Sequence, residues 1–324
     1  MKKTTAPIAL FVYNRLSDIE QTVKSLQKNK LTSESDLFIF SDGQKDGDVS
    51  DKIPCVRNYL KTIDGFKSVT IIEREKNMGL ANSIISGVTE IINKFGKIIV
   101  LEDDLILSPY FLSYMNQGLD MYEDENLVFS IHGHMYPTKM KNLPQTFFLS
   151  FIDTWGWATW KRAWDKLNTD PKILLEEIKE KNAEYRFNID GSHSFIHHIK
   201  ANIIGRWNTW GIKWYASVFL SDGIGLFPAN SLVRHIGFGD DATHAKITDE
   251  PTQEISNKPI DITKITIKES VIGRKALRDY YLSLEKNCAK RYFKLFKENL
   301  KRIIPIKWAF DFLRSKVYDE RNSI

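Results

Sequence analysis

Four short apolar runs constrain this chain more than any other feature. Residues 8–13, 36–40, 69–72 and 98–101 are each four to six residues long and rich in β-branched and aromatic side chains. Runs of that length and composition read as buried strands. Helical patterns fill the intervals: Ser17 opens a helix to about Lys28 with Ile19, Val23 and Leu26 on one face, and helices are predicted over 52–63 and 80–93. A helix over 109–122 and a strand over 127–131 continue the alternation. Strand and helix in turn at short spacing predict an α/β fold, a mostly parallel sheet flanked by helices.

A parallel sheet gathers the ends of its strands along one edge, and open α/β sheets bind ligands there. Each of the four predicted ends carries polar residues: Asn14 and Arg15, Asp42 beside Gly43, Asn77 in an Asn-Met-Gly loop, and Glu102-Asp103-Asp104. Three adjacent carboxylates repel one another and require compensation. Hard oxygen donors suit Mg²⁺ or Mn²⁺, usually held by one or two carboxylates plus a substrate diphosphate. The structural alternative is an acidic turn entering a helix, with Ser108 as N-cap and Pro109 at N1. No Gly-x-Gly-x-x-Gly follows the first strand and no Walker-type Gly-Lys-Ser/Thr occurs, so dinucleotide and P-loop chemistry are unsupported.

The second half reads differently. His132 and His134 stand two apart in a turn, with no carboxylate or third imidazole beside them to complete a metal site. Trp155, Trp157, Trp160 and Trp164 form one aromatic cluster, and Trp207, Trp210 and Trp214 a second. Tryptophan faces suit sugar rings, yet they fill cores more often. Between the clusters lies a polar helix over 171–184, and residues 230–244 read as a loop able to fold over a ligand. Residues 250–268 read as an extended linker with an edge strand, followed by a helix from Gly273. Between Lys286 and Tyr318, ten Lys/Arg face two acids, so the rest of the chain is net negative although the whole carries +5. Bases interleaved with apolar residues, broken at Pro305, predict amphipathic helices suited to an anionic membrane surface; a solvated basic face is the alternative. Two distant cysteines, no signal peptide and no span-length apolar run predict a cytoplasmic protein at or near the inner face of the plasma membrane.

The strand-end motifs together resemble a known family. Ser41-Asp42-Gly43, Asn77-Met78-Gly79-Leu80 and the run from Val100 through Glu102-Asp103-Asp104 to Phe111 are similar to those of GT-A glycosyltransferases. The likeness spans residues 6–245 and is strongest to bacterial sugar transferases of surface-polysaccharide clusters, more distantly to N-acetylglucosaminyltransferase I. It implies a GT-A (Rossmann-like) sheet with a nucleotide-sugar-binding half at 1–130, an acceptor and catalytic half at 131–248, and a linker with basic C-terminal helices at 249–324. Asp104 would ligate Mn²⁺ or Mg²⁺, Asp103 would face the ribose or sugar, and Asp42 the base. Arg15 would meet base or phosphate, with Asn14, Asn77 and Leu80 completing the nucleotide-sugar pocket. Trp157 would shape the cleft, and the loop ending at His244 would close over the diphosphate.

Inversion needs a base for the acceptor proton. The segment that carries it in the distant relative is Trp-Asp-Asp-Trp; here it is Trp207-Asn208-Thr209-Trp210, and an asparagine cannot take a proton. Asp153, Asp240 and Asp241 are the substitutes, and a retaining mechanism stays open. The implied activity is metal-dependent transfer of a hexosyl or N-acetylhexosaminyl group from a UDP-sugar to a glycan or lipid-linked glycan of a surface polysaccharide, with no nucleic-acid partner. Two alternatives are a non-catalytic module that binds glycan or nucleotide-sugar, and a nucleotidyltransferase. The latter wants a Gly-rich basic loop where Asn14-Arg15-Leu16-Ser17 stands.

Overall fold

β1 (Ile8–Val12) is buried at all five positions and forms the spine of the molecule. The computed structural model describes residues 4–237 and 254–284. The chain divides into two compact units, Met1–Arg278 and Asp279–Ile324; in the second, residues 279–284 are helical. Asp240, Asp241, His244 and the basic segment 286–318 lie outside the described residues.

In the first half the order is β1, α1 (Leu16–Gln27), β2 (Asp36–Ser41), α2 (Lys52–Leu60), β3 (Ser68–Glu73), α3 (Leu80–Phe95), β4 (Lys97–Glu102), β5 (Leu105–Leu107) and α4 (Phe111–Met121). The second half follows as β6 (Val128–His132), β7 (Thr146–Leu149), β8 (Trp157–Trp160), α5 (Lys161–Trp164), α6 (Pro171–Glu180), α7 (Glu184–Phe187), α8 (Phe195–Ile203), α9 (Trp210–Leu220), β9 (Ile224–Pro228) and β10 (Val233–His235). One eight-stranded sheet runs β3-β2-β1-β4-β8-β6-β9-β7, and β5 pairs with β10 in a small second sheet. The halves expected at 1–130 and 131–248 therefore share one sheet. β3, β2, β1 and β4 are parallel; β8 opposes β4 and β6, β9 runs with β6, and β7 opposes β9.

Several local expectations change. Ser17 is not the cap of α1: the N-cap is Arg15, no side chain caps the helix, and the Arg15 guanidinium goes to the acidic pair instead. Ser108 and Pro109 precede rather than open α4, whose N-cap is Tyr110; Ser108 Oγ accepts from the Tyr110 N–H at 3.2 Å. The polar helix expected over 171–184 is two, α6 and α7, and the helix expected from Gly273 begins at 271. Among its described residues the linker adds no strand to the sheet and buries Ile260 and Ile262; just beyond it, Glu269 forms an isolated bridge with Phe148 of β7.

The tryptophans divide by depth. Trp157 is wholly buried, its ring 5.4 Å from Trp210, 5.8 Å from Trp164 and 6.0 Å from Trp214. This corrects the expectation that Trp157 shapes a sugar cleft: β8 lies between β4 and β6 in the middle of the sheet, and its side chains are core. Trp157→Ala is expected to cost about 3–5 kcal/mol, because the three indoles packed around it cannot collapse into the void. Urea unfolding monitored by fluorescence checks it, and a loss under 1 kcal/mol would contradict a core role.

Candidate active site

Topology brings the polar residues together. The ends of β1, β2, β3 and β4 point one way, and so does the end of β6, leading into Gly133 and His134. β8 runs the opposite way, so the segment entering it, Asp153 to Gly156, arrives at the same edge. The Gly133 N–H donates to Gly156 O at 2.8 Å and fastens these two loops. After β9 the chain returns through β10, which pairs with β5 and carries His235 back beside the acidic turn.

The turn between β4 and β5 is locked from α1. Thr22 Oγ1 donates to Asp103 O at 2.9 Å and accepts from the Leu105 N–H at 3.1 Å. Arg15 Nη2 then bridges the two carboxylates, 2.8 Å from Asp103 Oδ1 and 2.7 Å from Asp104 Oδ2. Asp103 Oδ2 also accepts from the Tyr13 N–H at 3.1 Å. His235 Nε2 lies 3.2 Å from Asp104 Oδ2, and the Ile236 N–H donates to Asp104 O at 2.8 Å. A Cβ on Gly237 would fall 2.3 Å from Asp104 Oδ2 and 2.8 Å from Arg15 Nη1, so only glycine lets the backbone pass this close.

The three acids respond differently. Burial, with the charges of Asp104 and Asp103, pushes Glu102 well above the usual carboxylate range. Burial also raises Asp103, against the pull of Arg15, to about 6. Burial acts on Asp104 too, but His235 and Arg15 outweigh it and hold this carboxyl below its ordinary value. Asp104 is thus the one member of the triplet held below the ordinary carboxylate range. An ionised carboxylate is the kind of ligand that suits Mn²⁺ or Mg²⁺, with diphosphate and water supplying the remaining ligands, and the His235 imidazole stands beside it. Among the described residues there is no group of three or more His, Cys, Asp or Glu that could hold a metal ion.

Beside the acidic pair lies the Asp42 loop. Asp42 Oδ1 accepts from the Gly43 and Met78 N–H groups at 2.9 and 2.8 Å, and Oδ2 from the Gly79 N–H at 3.0 Å. Its charge sits at the N-terminus of α3, where the helix dipole favours it. Most of its accepting capacity is used in tying β2 to α3. Asn77 Nδ2 donates to Gly43 O at 2.8 Å, and Leu80, first in α3, is exposed. Tyr13, half-buried after β1 and followed by Asn14, adds a ring with Lys45 Nζ 5.7 Å from its centroid.

On the other side stands an aromatic wall. Trp155 stacks on His235 with centroids 4.4 Å apart and planes at 12°. His134 meets both Trp155 and Tyr136 edge-on at 4.8 Å. His134 Nδ1 lies 3.0 Å from Asp153 Oδ2, while Asp153 Oδ1 accepts from the Trp155 N–H at 2.8 Å. His132 points elsewhere: it is buried, 2.6 Å from Ser130 Oγ, stacked on Phe227 at 4.2 Å, and burial pushes it down to about 4. It is a neutral core residue, and the two histidines do not converge on a ligand. Asn208 is exposed and accepts from Lys213 Nζ at 3.3 Å.

The sequence carries no sign of Tyr13 at the site, of the pairing of His134 with Asp153, or of which tryptophan of the first cluster stands beside His235. The 230–244 stretch was singled out, but the pairing of β10 with β5 that delivers His235 joins residues more than 120 apart and leaves no local signal.

The family model described as glycosyl transferase family 2 matches residues 8–178, more than half of the chain. Among curated proteins none matches. The chain also matches three solved structures over part of its length. A mannosyltransferase from Pyrobaculum calidifontis, solved with GDP-Man and Mn²⁺, is 12% identical with a TM-score of 0.38, over 67% of this chain and 70% of its own. TarS residues 1–349 from S. aureus are 14% identical with a TM-score of 0.29, over 43% and 38%. A cytidylyltransferase from Leptospira borgpetersenii serovar Hardjo-bovis is 10% identical with a TM-score of 0.32, over 51% and 64%.

Proposed function

The chain belongs to glycosyl transferase family 2, and from that premise we propose that it transfers a hexosyl or N-acetylhexosaminyl group from a UDP-sugar to a glycan or lipid-linked glycan of a surface polysaccharide. The observation that carries this reading is the acidic pair at the sheet edge, with Asp104 held below the ordinary carboxylate range between Arg15 and His235. A nucleoside diphosphate leaves only when its developing charge is neutralised. Asp104 and His235 would hold Mn²⁺ or Mg²⁺, which when bound supplies that neutralisation as a Lewis acid.

The chain's own residues do the rest. Tyr13, Asn14 and the Asp42–Asn77 loop border the place for the nucleoside, and the ring of Tyr13 offers it a stacking surface. Asp103, fixed by Tyr13 N–H and Arg15, faces the ribose or sugar. Arg15 presents a guanidinium fork to the diphosphate. Trp155, rather than Trp157, provides the apolar face for the sugar ring. A basic C-terminal segment would keep the enzyme near an anionic membrane and a lipid-linked acceptor; among the described residues no helix is long and apolar enough to cross one.

Calorimetry with a panel of UDP-, GDP- and CDP-sugars, with and without Mn²⁺, tests the reading. One UDP-sugar is expected to bind in a metal-dependent manner and to be hydrolysed slowly. Metal-dependent binding with neither hydrolysis nor transfer would favour a binding module, for which Asn208 in place of an acid speaks. Indifference of every sugar nucleotide to Mn²⁺ would overturn the proposal.

A further inference from the structure

The end of α8 carries an apolar side chain that the fold holds out into solvent. Ile204, directly after α8, is 75% exposed. Fraying does not put it there, because the backbone around it is tied down. The Gly205 N–H donates to Asn202 O at 3.2 Å, and the Arg206 and Trp207 N–H groups donate to Ala201 O at 3.0 and 3.2 Å. Gly205 takes a φ of 71°, the left-handed turn that ends a helix. Asn202 then clasps the start of α9: its Nδ2 donates to Thr209 Oγ1 and its Oδ1 accepts from the Thr209 N–H, both at 2.9 Å.

One exposed isoleucine needs no explanation. Its company does. His197, Lys200 and Ile204 are all exposed and recur at i, i+3 and i+7, so they form one stripe along α8, and the exposed Arg206 follows. Trp207, half-buried, stands edge-on to His197 at 5.7 Å and to His198 at 5.1 Å, which holds its indole beside that stripe. Residues 191–221 include Lys200, Arg206 and Lys213 and contain no Asp or Glu. An indole, an aliphatic tip and bases without acids suit the headgroup layer of a bilayer, where each finds its own environment. A soluble polyanion would use the bases and leave Ile204 in water.

The place of this turn in the fold gives it a task. α9 starts against the loop that enters β8: a Cβ on Gly211 would fall 3.0 Å from Thr154 Cγ2, and Thr154 lies between Asp153 and Trp155. The turn from Ile204 to Trp207 leads into that start, so it stands at the same edge of the sheet as the candidate active site. We propose that the α8–α9 turn, from Lys200 to Trp207, docks on an anionic lipid bilayer. Ile204 and the edge of Trp207 enter the headgroup layer, while Lys200 and Arg206 meet lipid phosphates. This surface is distinct in sequence from the basic segment 286–318. It brings the cleft to a lipid-linked acceptor, and in that last step alone it rests on the transferase reading.

The test uses the full chain and vesicles of phosphatidylcholine with phosphatidylglycerol as about a third of the lipid. Ile204→Cys, carrying an environment-sensitive fluorophore in a chain whose two native cysteines are serine, is expected to shift to the blue when vesicles are added. The same label on Leu127→Cys, half exposed just before β6 at the opposite edge of the sheet, is expected to stay unshifted. Ile204→Asp in the otherwise native chain should weaken vesicle binding about tenfold at about 0.5 M NaCl, where charge contacts are screened and the apolar contact is not. Its melting temperature should match the wild type, since the side chain it replaces is exposed. A label at 204 that does not shift, or shifts no more than the one at 127, would overturn the proposal. So would wild-type binding by Ile204→Asp. Equal shifts on pure phosphatidylcholine, or on heparin without lipid, would also sink it, because the first needs no charge and the second no bilayer. Sugar nucleotides are absent throughout, so failure here leaves the transferase reading standing, and failure of the donor panel leaves this result as it is.

Discussion

Asp104→Ala is expected to lose donor turnover about a thousandfold, roughly 4 kcal/mol of transition-state stabilisation, while its melting temperature stays level or rises. The first half follows from where the charge is. Asp104 is the one acid of the triplet that its surroundings keep below the ordinary range, and His235 Nε2 at 3.2 Å offers the second ligand. Without its oxygens, one imidazole remains to hold the metal, which a single neutral ligand does poorly.

The second half follows from repulsion. After burial, the charge of Asp104 is the largest influence raising Glu102, and it raises Asp103 as well. Deleting it relieves both neighbours. Arg15 keeps Asp103 at 2.8 Å and Asp18 at 3.6 Å, so its charge is not stranded. Turnover and stability then move in opposite directions, as they do where a site holds like charges together for function. Turnover assays beside thermal melts read both. A variant that melts several degrees lower with turnover intact would make the acidic turn structural, with Asp104 merely a partner for Arg15 and His235.

How far the sequence revealed this site follows from the range of the interactions involved. The strands of the first half were legible because each is a local run between helix-like intervals: the expectation 8–13 meets Ile8–Val12, and 98–101 meets Lys97–Glu102. Once they are parallel, adjacency of Arg15, Asp42 and Asp103 is a consequence of topology. The second half depends on contacts that sequence distance hides. β8 enters between β4 and β6 against the direction of both, which buries Trp157 and leaves Trp155 at the rim. The fragment Trp-Gly-Trp carries no sign of which indole goes inside. Asp153 was legible as an acid near the cleft, but its bond to His134, nineteen residues earlier, was not. Asp42 looked free for a base because a carboxylate after a strand can be; three backbone N–H groups claim it.

Arg15→Ala separates two roles that the wild-type geometry superimposes. The guanidinium now sits between Asp103 and Asp104, where a divalent cation would be drawn by the same two charges. Removing it should tighten binding of Mn²⁺ alone, measured at pH 8, because the metal no longer competes with a resident cation. It should also weaken binding of the UDP-sugar in saturating Mn²⁺ by about 10- to 100-fold, the worth of one charge-assisted fork to phosphate. The pH dependence supplies a third reading. A negative charge on Asp103, beside the ligand Asp104, draws the metal, and Asp103 stands at about 6, raised by burial and pulled down by Arg15. Without Arg15 the group rises further, so protons compete to higher pH and the onset of Mn²⁺ binding moves upward from about 6. Tighter metal, weaker donor and an upward-shifted onset together place Arg15 as the ion that the metal displaces toward the diphosphate. If Mn²⁺ affinity falls at pH 8, Arg15 instead orients the two carboxylates for the metal and stays with them throughout the reaction.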